Sequence, residues 1–128
     1  MNIQKLNLSK QKMKINKGVI YIYATFNNTI LTLCNVQNKV LFWTSAGSCG
    51  FKGARKGTPF SSKITIEKLV KYAREQGIKS LYIIIKGPGP GRETVIRNLQ
   101  KSSFEILLIC DRTPLPHNGC RPPKKRRV

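Results

Sequence analysis

Five carboxylates, one imidazole and four thiols are the side chains best suited to acid–base, nucleophilic or metal chemistry in this sequence. Glu67, Glu75, Glu93, Glu105 and Asp111 form no close sequence pair, and Glu67 and Glu75 stand eight residues apart on a predicted helix. Metal-assisted cleavage of nucleic acid needs clustered acids to hold its ions, so that chemistry is not expected. General acid–base work would fall to His117 alone, in a proline-rich tail. Cys34, Cys49, Cys110 and Cys120 show no CxxC spacing and are expected to stay free thiols. His117 and Cys120 could supply half a metal site, but no second pair follows at a zinc-finger spacing. No enzyme, no metal and no cofactor are predicted.

What the residues can do is bind anions. The stretch SAGSCGFKGARKGTPF interleaves Gly47, Gly50, Gly53 and Gly57 with Lys52, Arg55 and Lys56. Glycines let backbone N–H groups approach a phosphate and join the cations as donors. This loop also leads into the positive N-terminus of a predicted helix. The stretch KGPGPGRE, from Lys86 to Glu93, repeats the device with Gly87, Gly89 and Gly91, and places Arg92 and Arg97 on the helix that follows. It is no Walker A loop, because the closing Gly-Lys-Ser/Thr is absent. Phosphate or ribose contact and a purely structural turn are both open readings. FNNT at 26–29 sits at a predicted hairpin, where Asn27 and Asn28 either supply a tight turn or offer amides to RNA bases and 2′-hydroxyls.

The last eighteen residues, DRTPLPHNGCRPPKKRRV, hold four prolines that exclude helix and central strand. An Asn118-Gly119 pair asks for a turn. Six cations (Arg112, Arg121, Lys124, Lys125, Arg126 and Arg127) face one acid. A stiff cationic strip that cannot bury apolar surface is suited to lie along a polyanion.

The whole chain of 128 residues amounts to one domain with a net charge of +19. Residues 1–17 carry five lysines and no acid, residues 46–63 four cations and no acid, and the tail six cations and one acid. These three stretches supply fourteen of the nineteen net charges. So one-sided a surface calls for a partner of opposite charge, with nucleic acid ahead of an anionic membrane. No apolar run approaches the roughly 20 residues needed to span a bilayer. The N-terminus lacks the apolar core of a secretory signal and reads as a basic arm.

Elements of regular structure must hold these loops in place. GVIYIYATF, TILTLCNV and KVLFWTS, separated by Asn-containing turns, predict three strands in an antiparallel meander. In the first, Tyr21, Tyr23 and Thr25 alternate with Ile20, Ile22 and Ala24, so both faces are candidates for cover. Thr58-Pro59 predicts a helix start, with Phe60, Ile64, Ile66, Leu69, Val70 and Ala73 as its apolar stripe and Gly77 as its terminator. LYIII at 81–85 reads as a strand buried on both faces. A short helix around Val95, Ile96 and Leu99 and a strand FEILLIC at 104–110 complete a β-β-β-α-β-α-β order. Helical crossovers make the last strands parallel. The prediction is a single layered α/β domain: a mixed five-stranded sheet with helices packed on it over 18–110, a basic arm at 1–17 and a basic tail at 111–128.

FNNT at 26–29, GFKGARKGTPF at 50–60, KGPGPGRE at 86–93 and TPLPHNGCRPPKKRRV at 113–128 together resemble the small-subunit ribosomal protein eleven family of bacterial and organellar type. The resemblance covers nearly everything from Gly18 onward and leaves residues 1–17 outside. It implies a ribonuclease-H-like α/β fold that serves as a scaffold in the platform of the small ribosomal subunit. It implies binding to small-subunit rRNA near its central and 3′ regions, with mRNA nearby at the exit side and neighbouring platform proteins as partners. No homo-oligomer and no membrane are implied. Carried over residue by residue, the rRNA-contacting positions are Asn27 and Asn28, Lys52, Gly53, Arg55 and Lys56, Gly87 to Arg92 and the tail cations, and Arg97, Arg112, His117 and Asn118 are added to them as candidates on their own chemistry. Ser48-Cys49 and Arg112 depart from the family's usual residues without removing a phosphate-binding group.

Lysine outnumbers arginine two to one and alanine is scarce, a bias that suggests an AT-rich genome. SAGSCGFK and DRTPLPHNG resemble mitochondrial members, which points to the mitochondrial matrix, with plastid stroma or bacterial cytoplasm as alternatives. A nuclear regulator is a rival on the strength of PPKKRRV, but no helix has a cationic face suited to a major groove. A ribonuclease-H-like nuclease is disfavoured by the missing acids.

Overall fold

A computed structural model of the chain describes residues 16–127. The predicted arm therefore lies outside the described residues except for Asn16 and Lys17. Lys17 is the first residue of a strand, so regular structure starts inside the span assigned to the arm. The strands are β1 (Lys17–Ala24), β2 (Thr29–Cys34), β3 (Val40–Ser45), β4 (Ser80–Lys86) and β5 (Glu105–Asp111). Two helices, α1 (Pro59–Glu75) and α2 (Gly91–Lys101), occupy the predicted places.

The sheet order is β3-β2-β1-β4-β5. β1, β2 and β3 pair antiparallel as a meander, while β4 pairs parallel to both β1 and β5. This is the mixed five-stranded α/β domain expected from the sequence. Asn35 shapes the β2–β3 turn by accepting hydrogen bonds from the Gln37 and Lys39 amides, and Asn38 adopts φ 63°. Asparagine tolerates that left-handed geometry better than most residues.

The core lies between the helices and one face of the sheet. Ile20 and Ile22 of β1, Leu31 and Leu33 of β2, and Leu81, Ile83 and Ile85 of β4 meet Ile66, Leu69 and Ala73 of α1 and Val95 and Leu99 of α2. The period-2 alternation of the strands and the 3.6-residue period of the helices select these positions. Thr58 caps α1 by accepting from the Ser61 amide, and Pro59 sits where its missing N–H costs nothing. At the other end Gly77, at φ 80°, closes a Schellman motif: its amide donates to the Arg74 carbonyl and the Ile78 amide donates to the Ala73 carbonyl.

Two expectations need correction. Phe60 does not belong to the apolar stripe of α1, because it is 63% exposed at the helix start. LYIII is not enclosed on both faces by the chain's own elements. On the face away from the helices the buried apolar residues are Val19, Cys34 and Ile84, with Tyr21 and Tyr82 partly covered beside them.

Candidate nucleic-acid interface

β1, β3, β4 and β5 all run toward the same end of the sheet, where antiparallel β2 begins. The FNNT hairpin, the glycine-rich loop, the GPGP loop and the tail therefore leave the fold together. In open α/β sheets this carboxyl end of the strands is where ligands bind. Motifs separated by up to a hundred residues of sequence become one surface.

Main-chain contacts weld the loops to one another. The Gly89 amide donates to the Ala24 carbonyl at 2.9 Å, which docks the GPGP loop on the end of β1. A Cβ on Gly57 would strike the Phe26 carbonyl, so the glycine-rich loop presses on the FNNT hairpin. A Cβ on Gly91 would strike the Thr29 and Ser62 hydroxyls, which are themselves 3.1 Å apart. Hairpin, α1 and the start of α2 thus meet at one glycine.

The GPGP loop is packed into the chain itself. Gly87, Gly89 and Gly91 are buried against the chain's own atoms, with Gly87 at φ 94°. They serve close packing, and Pro88 and Pro90 are the exposed residues. Arg92 is also engaged within the chain. It donates to the Gly87 carbonyl at 3.1 Å and to Asp111 at 2.8 Å. Its guanidinium ties the loop to the end of β5. Arg97 stands out to solvent with only a loose contact to Glu93, at 3.8 Å.

The two asparagines of the hairpin divide the readings left open above. The Asn28 side-chain oxygen accepts from the Thr29 amide, and its main-chain carbonyl accepts from the Thr25 amide and hydroxyl. Asn28 shapes the turn, while Asn27 is exposed. In the glycine-rich loop Lys52, Gly53 and Arg55 are exposed and Lys56 is half-buried. Gly53–Gly57 forms a 3₁₀ turn, and a recess of about 390 Å³ is lined by Cys49, Gly50, Phe51, Lys52 and Arg55.

The tail starts from a fixed point. Asp111 accepts from the Thr113 hydroxyl at 2.6 Å and amide at 3.0 Å, and from Arg92. The Thr113 hydroxyl, then Arg92, then the Thr113 amide hold the Asp111 carboxyl far below its usual range. The Arg112 amide donates to the Ile85 carbonyl, and the Gly87 amide to the Thr113 hydroxyl oxygen. From Pro114 the chain is exposed and irregular, with Asn118 at φ 53°. His117, Asn118, Arg121, Lys124, Lys125, Arg126 and Arg127 are all exposed.

Two aromatic residues were not among the predicted site residues. Phe26 is 73% exposed and Phe60 63% exposed, and Phe51 meets Phe60 edge-on at 6.0 Å. The signal in the sequence was their position inside the binding motifs, which the helical pattern overrode for Phe60.

Among the described residues no three His, Cys, Asp or Glu side chains converge on a point that could hold a metal. The molecule is a layered α/β scaffold that exposes Lys52, Arg55 and the tail cations on the segments leaving one end of the sheet, and its acids form no cluster among the described residues. That defines a polyanion-binding protein. Residues 18–127 match the family described as ribosomal protein S11, and the chain belongs to that family. It is thus a ribosomal protein, a structural component and not an enzyme. The small ribosomal subunit protein uS11c of Mesostigma viride is 56% identical over 126 residues, covering 98% of this chain and 97% of that protein. The proteins of the same name from Physcomitrium patens and Angiopteris evecta are 51% and 52% identical over 126 residues, with the same coverage. These alignments extend well into the first seventeen residues, which the motif resemblance had left out.

Proposed function

We propose that the chain is a structural constituent of the small ribosomal subunit that binds small-subunit rRNA through the carboxyl end of its sheet. The observation that carries this reading is the convergence of four motifs at that end, with exposed cations on three of them. Lys52, Arg55, Arg97 and Arg112 contact phosphate beside the ordered core, and Arg121 and Lys124 to Arg127 clamp the backbone further out. Asn27, Phe26 and Phe60 offer an amide and aromatic surfaces to unpaired bases. His117 and Asn118 belong to a shaped turn fitted to one place on the RNA. Gly87, Gly89, Gly91, Asn28 and Arg92 act one step back, by holding the loops in register.

The site lies in the platform of the subunit near the mRNA exit side, with neighbouring platform proteins in contact. The supporting relatives are named small ribosomal subunit proteins and carry the c suffix of plastid members. That suffix favours the plastid stroma over the mitochondrial matrix suggested by the loop resemblance.

Sucrose-gradient sedimentation tests the reading. The protein should migrate with small subunits after a high-salt wash. Recovery only at the top of the gradient, or only in nuclei, would overturn it.

A further inference from the structure

The sheet face opposite the helices lacks a second layer. One row across it runs Trp43, Thr32, Tyr21, Ile84, Cys110, each side by side with the next on the neighbouring strand. The row beside it runs from Cys34 through Val19 and Tyr82 to Leu108. None of these nine side chains is charged, in a chain of 128 residues with 24 lysines and arginines. Trp43 is 59% and Leu108 54% exposed.

Three of the five strands, β1, β4 and β5, are mutually parallel, and parallel sheets occur with both faces covered. The chain's own helices supply one cover only. RNA is a poor second cover, since no cation lies within these rows to meet phosphate. The ends of the face are charged. Lys86 aligns with Tyr23. At the far end Lys17 lies beside Ser80, whose hydroxyl donates to Glu105.

We propose that this face docks an amphipathic helix of a neighbouring small-subunit protein. That helix is apolar toward the sheet and carries acids at the end that meets Lys86. The inference rests on the ribosomal reading above. From Lys17 to Tyr23 the face is about 20 Å long at ~3.3 Å per residue. About 13 helical residues span that length. Charge argues against the other occupants. Residues 1–15 of the chain carry four lysines and no acid, and a second copy would bring another +19 against Lys86.

The test places the photoreactive residue p-benzoylphenylalanine at position 43 of the full chain and irradiates small subunits purified on a gradient. The expected product joins position 43 to an apolar, acid-flanked segment of another small-subunit protein. A cross-link to rRNA, to residues 1–15, to a second copy or to nothing would overturn the proposal. Leu108→Lys provides an independent arm at an exposed position that leaves the core intact. It should bind deproteinised small-subunit rRNA with unchanged affinity, yet be retained about tenfold less by salt-washed subunits. Unchanged retention would count against docking. If the unsubstituted protein itself fails to sediment with subunits, the ribosomal reading fails first, and the inference with it.

Discussion

Arg92, on the first turn of α2, donates to Asp111, the last residue of β5, at 2.8 Å. The same guanidinium also reaches the Gly87 carbonyl, so one side chain fastens a loop, a helix and the root of the tail. An arginine that the motif offered as a phosphate ligand thus acts on the chain itself. Its fork of donors suits this task, because two acceptors in different segments can be held at once.

The Asp111 tether should depend on pH only in strong acid. Its folded carboxyl titrates below the unfolded range, held there by Thr113 and Arg92. The stabilisation it brings is therefore complete above about pH 4 and is lost as pH falls through the depressed value. Amide exchange at Gly87, Arg112 and Thr113 should be equally protected at pH 7 and pH 5. Asp111→Asn should raise exchange at all three at neutral pH, whereas unchanged protection would show that the tail root is held by main-chain bonds alone.

Removing Lys124 to Arg127 should flatten the salt dependence of rRNA binding. Four fewer phosphate contacts release fewer counterions, and the slope of log K against log salt should become shallower by about 3. These residues are exposed and outside the core, so the thermal midpoint should stay where it is. Filter binding across a salt series measures the first quantity and calorimetry the second. An unchanged slope would place those cations away from phosphate.

Gly89→Ala should cost stability even though the residue lies in a loop. The added Cβ would meet the Thr25 carbonyl group and the Ala24 carbonyl carbon, main-chain atoms that cannot swing aside. Overpacking of this kind typically costs about 1–3 kcal/mol. Urea denaturation should show the lowered midpoint, and rRNA affinity should fall because the hairpin and the GPGP loop lose their common register. Arg97→Ala, at an exposed position, should weaken binding and leave the urea midpoint alone.

The four thiols should react in an order set by exposure. Cys120 is exposed, Cys49 and Cys110 are half-covered, and Cys34 is buried, with its thiol pushed up by that burial. The thiolate is the reactive form, so alkylation at pH 8 should label Cys120 first and Cys34 only on unfolding. Mass spectrometry of timed samples resolves the sequence of labelling. Early modification of Cys34 would mean that the β1–β2 pairing beside Val19 opens in solution.

Much of this protein is determined by its sequence alone. Period-2 and 3.6-residue apolar patterns, Thr58-Pro59 and Gly77 dictate the order and type of every element, because those signals act between residues near in the chain. Composition bears on chemistry as directly, since five acids with no close sequence pair argue against metal-assisted cleavage. The tertiary structure decided which residues of each motif face outward. Gly87, Gly89, Gly91 and Arg92 look like a phosphate cradle when only their neighbours are known. Parallel pairing of β1 with β4 brings Ala24 and Thr25 against that loop, and Gly87 and Gly89 then abut backbone from sixty residues away. The helix-free face was likewise invisible in sequence. LYIII carries the pattern of a doubly buried strand, but whether the second layer comes from the same chain depends on where α1 and α2 pack. Both settle on one face, and the pattern on the other remains for a partner to cover.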